Sequence, residues 1–207
     1  VTRDFLARRG DGLDRIAMRV GDAAACVEEI RGKGYAALGP FDFGRPVTLP
    51  GGVRSEAKFR VFHWPVSEAP GDLRLRGCQH LTPENVWVPD FQQHANTVTA
   101  ISRVEILAHH PAQAAQHMAR LIEGTIRSVE NGEFRVPSGS GRAEFVFFDR
   151  ETLARRYRTV ALDGLPEEGA VALVLRVADL DAAARAAGPL GVRFEASICV
   201  PASAANG

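Results

Sequence analysis

The sequence predicts an α+β fold made of tandem βαβββ modules, with mixed, mostly antiparallel sheets curving around a groove. Three observations carry this. An apolar strand followed within one or two residues by an alanine-rich amphipathic helix occurs three times, at residues 14–34, 102–124 and 170–191. Strand-like runs fill the stretches between these units. The starts at 14, 102 and 170 lie further apart than solenoid repeats, which makes the units domain halves rather than array elements.

The opening residues, VTRDFLARRGDGL, read as a charged connection. In the first unit Ile16, Met18 and Val20 alternate with Ala17 and Arg19, the period of two of a half-buried strand. The period then changes. Ala23, Val27 and Ile30 form a helical stripe with Glu28, Glu29 and Arg31 off it; Asp22 is placed to cap the helix, and Gly32 and Gly34 end it. The run 57–64 alternates around Phe59 and Val61, and 73–81 around Leu73, Leu75 and later Cys78. Residues 88–99 form a linker. In the second unit the strand is Val104, Ile106 and Ala108; Pro111 opens the helix, whose stripe is Ala114, Met118, Leu121 and Ile122. Residues 133–136 and 143–149 flank PSGSG as a hairpin. In the third unit Asp179 caps a helix facing the core with Leu180, Ala183 and Ala184, and Gly188 with Pro189 ends it. One helix per three or four strands covers one sheet face, so the other is buried by something else or lines a ligand cavity.

Composition excludes several classes. Hydrophobic residues make up 45% and charged residues 24%, enough to form a core. With 25 basic and 25 acidic residues the charge cancels, which argues against binding nucleic acid or an acidic membrane. No apolar run approaches the ~18 residues of a membrane span, and residues 1–20 lack the pattern expected of a signal peptide. A cytoplasmic location is expected. Cys26, Cys78 and Cys199 are odd in number and widely spaced, so they read as free thiols, the first two buried. The DFG at 42–44 reads as a loop before a strand, and GSG at 139–141 as a turn.

Five stretches, FLARRGDGLDRIAMRVGDAAA, FDFGRPVTLPGG, AKFRVFHWP, CQHLTPENVWVPDFQQHAN and DLDAAARAAGPLGV, resemble the vicinal oxygen chelate superfamily of glyoxalase I, extradiol dioxygenases and bleomycin-resistance proteins. The nearest resemblance is to bacterial glyoxalase-like domain proteins. It implies two domains: residues 1–90, the second half of an incomplete pair of modules, and 91–207, a second pair with its last strand cut off. The module expected to come first, which brings a histidine and a glutamate, is not in this sequence.

The resemblance also implies a divalent metal, Fe, Zn, Ni or Mn, that chelates two substrate oxygens for lyase, isomerase or dioxygenase chemistry. Its first-strand ligand slot falls on Arg15, Arg103 and Ala172, none of which ligates a cation. Its last-strand slot falls on His80, and near Phe147 in the second module. His80 is therefore either a metal ligand or a hydrogen-bonded histidine. Glu84, four residues on, is a second ligand, a catalytic base or an exposed strand-end charge. Arg15 and His63 are candidate substrate-binding residues, Arg15 for an anionic group; His63 alternatively lies on the surface. The alternative to a metalloenzyme is a metal-free protein that sequesters a planar or anionic small molecule, as bleomycin-resistance proteins do. A third reading makes 100–207 a structural repeat without chemistry. Apolar edges left by cut-off modules predict a homodimer.

Overall fold

The computed structural model describes residues 2–10, 12–129, 131–160 and 162–201. The chain forms an α+β structure of two compact units: an N-terminal module, Arg15–Ala69 with Arg74–His94, and a C-terminal unit comprising Val1–Asp14, Pro70–Leu73 and Ala95–Gly207.

The N-terminal module is a βαβββ unit: β1 (Arg15–Arg19), α2 (Ala23–Gly32), β2 (Leu38–Thr48), β3 (Arg54–His63) and β4 (Arg74–His80). Its sheet has the order β1-β4-β3-β2; β1 runs parallel to β4 and the other pairs are antiparallel. The Asp22 carboxylate caps α2 by accepting the Ala24 and Ala25 N–H groups. The Ala23 N–H at that terminus donates to Gln79 Oε1 at 3.0 Å, which fixes α2 over the face bearing Gln79, Phe62 and Leu75. Phe62 lies flat across Gly77 there: a Cβ on Gly77 would fall 2.1 Å from the Phe62 ring. Trp64 lies tilted against Phe62, ring centroids 4.9 Å apart, and is only 7% exposed.

The C-terminal unit opens with α1 (Thr2–Arg9), where a charged connection was expected; buried Phe5 anchors it. Then follow β5 (Val98–Leu107), α3 (Pro111–Ile122), β6 (Arg127–Val129), β7 (Glu133–Pro137), β8 (Glu144–Phe148) and α4 (Arg150–Arg156). Then come β9 (Gly169–Val177), α5 (Leu180–Ala187) and the hairpin β10 (Val192–Phe194) with β11 (Ser197–Cys199). The five-stranded sheet has the order β6-β7-β8-β5-β9, again with the first strand of the module parallel to the last, β5 to β8. The buried stripe of α3 is Ala115, Met118, Ala119 and Leu121, one position off the expected start at Ala114. No residue of α5 is fully buried, so its core-facing set is only half-covered. The turn between β7 and β8 closes with the Ser138 N–H donating to the Ala143 carbonyl, as the hairpin reading required.

Two further expectations are corrected. Residues 42–44 lie inside β2 rather than in a loop, and Cys26 is half-buried while Cys78 is buried. Among the described residues no helix is long and apolar enough to cross a membrane.

Candidate ligand-binding face

Strand alternation sorts the N-terminal module's side chains onto two faces. One packs against α2. The other carries Arg15, Ala17 and Arg19 from β1; Arg74, Arg76, Cys78 and His80 from β4; Ala57, Phe59, Val61 and His63 from β3; and Phe41, Phe43, Arg45 and Val47 from β2. Ring contacts follow the same register: Phe43 stacks on Phe59 at 5.1 Å, Phe59 meets His80 edge-on at 5.4 Å, and Phe41 tilts toward His63 at 6.3 Å. Arg45 lies over the Phe59 ring at 5.3 Å. Ala57, Phe59, Val61 and Cys78 form a small core with Val47 and Val86. Phe41 and Phe43 stay 54% and 42% exposed.

The sheet therefore brings Arg15, His63 and His80 to one face. Arg15 begins β1 and pairs in register with Arg74. His63 ends β3 opposite Arg76. Partial burial holds its pKa below the ordinary histidine value, and the Arg76, Arg15 and Arg74 guanidiniums add to the effect. His80 ends β4, and its pKa is also lowered, first by burial and then by Arg19. Burial raises the Cys78 thiol, against the pull of Arg76 and Arg45, so no thiolate is prepared here.

Glu84 does not share this face as an extended strand would place it. β4 stops at His80, and Pro83, lacking an N–H, opens a single turn over Pro83–Asn85 in which Glu84 is exposed. The turn is tied back to β3: the Lys58 N–H donates to Thr82 Oγ1 at 2.8 Å, and Asn85 Nδ2 donates to Ser55 Oγ at 3.0 Å and to the Glu56 carbonyl at 2.8 Å. This brings Trp87, 50% exposed, against His80, and the indole Nε1–H donates to His80 Nδ1 at 3.0 Å.

That bond bears on metal binding. With Nδ1 accepting a proton, the neutral ring carries its hydrogen on Nε2, and neither nitrogen then offers a free lone pair. Guanidiniums occupy the neighbouring positions, and no group of three or more His, Cys, Asp or Glu able to hold an ion occurs among the described residues. The donor set on this face does not fit a divalent metal.

The other slots are placed differently. Phe147 is buried in the C-terminal core. Arg103 Nε is engaged by Glu105 at 2.6 Å, and Ala172 sits on β9 opposite Glu105. Sequence reasoning did not single out Arg19, Arg76, Phe41, Phe43 or Trp87. The signal for the arginines was present as R-x-x-x-R over 15–19 and R-x-R over 74–76, both of which fall on one face of a strand.

Comparison with known proteins adds the following. A family model described as a glyoxalase-like domain matches residues 1–122. A crystal structure of a hypothetical protein from Staphylococcus aureus superposes with a TM-score of 0.63 at 10% identity, covering 94% of this chain and 68% of that one. At that identity the likeness shows the fold alone. Among curated proteins none matches significantly. With the family model spanning more than half of the 207 residues, and with the βαβββ module it implies in place, the chain belongs to the glyoxalase-like domain family.

Proposed function

We propose that this chain is a metal-free binding protein for a planar small molecule, held on the face of the N-terminal sheet that bears Phe41, Phe43, His63 and the arginines. The observation that carries this reading is the pairing of exposed aromatic rings with a cationic, hydrogen-bond-donating surface, beside a histidine whose Nδ1 is already taken by Trp87. Flat rings stack on Phe41 and Phe43, and arginine forks fix orientation. The family's metalloenzyme chemistry needs a donor cluster that this face lacks, so no metal-dependent step is assigned to it.

Thermal unfolding in the presence of planar aromatic compounds, with and without EDTA, tests the reading. Stabilisation by at least one compound that is unchanged by EDTA is expected. Stabilisation that appears only with an added divalent ion, and vanishes with EDTA, would overturn it.

A further inference from the structure

The register on this face supports a more specific statement about the ligand. Ala17 lies opposite Arg76 and between Arg15 and Arg19 along β1, so a methyl group stands where its neighbours carry guanidiniums. Ala17 is exposed, which leaves a notch with arginines on three sides. Arg76 Nε is buried without a hydrogen-bond partner, an arrangement that costs free energy until an acceptor arrives. Among the described residues of β1 to β4, no Asp or Glu falls on this face: Asp42 and Glu56 lie on the other one, and Asp42 is engaged there by Arg60 at 2.7 Å.

We infer that the ligand carries an oxyanion, a carboxylate or phosphate, on a flat aromatic body, and that Arg76 and Arg19 receive the oxyanion across Ala17 while the ring lies toward Phe41 and Phe43. The inference rests on the reading of this face as a ligand site. A guanidinium presents paired N–H donors that match a carboxylate or phosphate edge, and a partly desolvated one binds it more strongly than an exposed one. The spacing agrees. β2 is two strand separations from β4 and three from β1, about 10–14 Å, which the reach of the arginine and phenylalanine side chains narrows toward the span of one ring with an acidic substituent. His63 lies between, opposite Arg76 and 6.3 Å from the Phe41 ring.

The test is an NMR titration of the full chain with benzoate, phenyl phosphate and neutral benzamide, following the backbone amides. Both anions should shift residues 15–19 and 74–80 and bind about tenfold more tightly than benzamide. Whichever anion binds more tightly identifies the oxyanion. Arg19→Gln and Arg76→Gln should each weaken the two anions far more than benzamide and so remove most of that preference. Arg19 is exposed, so its variant carries the test if Arg76→Gln perturbs the fold. Equal binding of all three compounds at this face would overturn the oxyanion inference and leave the ligand-site reading standing. No shift in these strands with any of them would overturn both.

Discussion

The two sheets of this chain have the same module topology and opposite treatment of the face away from their first helix. In the N-terminal module that face keeps Arg19, Arg45, Phe41 and Phe43 exposed. In the C-terminal unit the same face is covered by the chain's own α4. Leu153 of α4 packs on Leu107, Val146 and Phe148, and Arg156 and Tyr157 reach a fully buried carboxylate, Glu105. Glu105 is held by Arg103 at 2.6 Å, by Arg156 at 3.2 Å and by the Tyr157 hydroxyl; Glu133 pairs with Arg156 and, at 3.0 Å, with Arg135. Burial, with Glu105 next to it, pushes the Tyr157 pKa well above the ordinary tyrosine value, so its hydroxyl stays a donor to that carboxylate. The face proposed to bind a ligand in one module is, in the other, covered and occupied by an ion network. The difference is made by α4 with Tyr157 after it, and by the strand carboxylates Glu105 and Glu133 that they meet.

The largest effect expected from breaking this comparison is at Glu105. Glu105→Ala leaves the half-buried Arg103 without its carboxylate and Arg156 with Glu133 alone, and should cost about 3 kcal/mol in urea unfolding. A loss under 1 kcal/mol would mean the network contributes little. Next is Gly77→Ala, whose new methyl collides with Phe62; about 1–3 kcal/mol is expected, with partial recovery in the double variant with Phe62→Leu. Failure of that rescue would place the strain elsewhere. Trp87→Phe removes the donor to His80 Nδ1 and should cost about 0.5–1.5 kcal/mol.

A smaller effect is pH-dependent. His63 and His80 both have folded pKa values below the unfolded value of about 6.5. The unfolded chain then binds more protons between the two values, so their contribution is complete above pH ~6.5 and falls as pH drops through the folded pKa. His80→Gln should flatten that part of the stability profile, and an unchanged profile would contradict the shift. The smallest expected change is the stability of Arg19→Gln, within about 0.5 kcal/mol of the parent. Loss of oxyanion binding with so little loss of stability would separate a binding residue from a structural one.

The sequence was most informative where one period persisted. Residues 57–61 alternate cleanly around Phe59 and Val61, but the common face of His63 and His80 emerges only from the β3–β4 register. β2 was harder to see because Pro40, Gly44 and Pro46 interrupt it. It tolerates them because it is an edge strand, paired with β3 alone. α4 is a single short stretch, RETLARR, in which only Thr152 and Leu153 are buried, too little to produce a periodic signal; the Asp149 cap was its one local sign. Glu84 was placed by carrying a period of two through Pro83, where the ladder has already ended. Arg76 needed the register of three strands to stand out, because neither Ala17 nor His63 is near it in sequence.

The Trp87–His80 bond has a practical consequence. The chain has two indoles, and Trp64 is enclosed while Trp87 is half in solvent on an imidazole. Water-soluble quenchers reach the second far more readily than the first, and protonating the imidazole beside it alters its emission. The protein thus has a native fluorophore at the rim of the surface where a ligand would settle, and occupancy can be followed by light without attaching a dye.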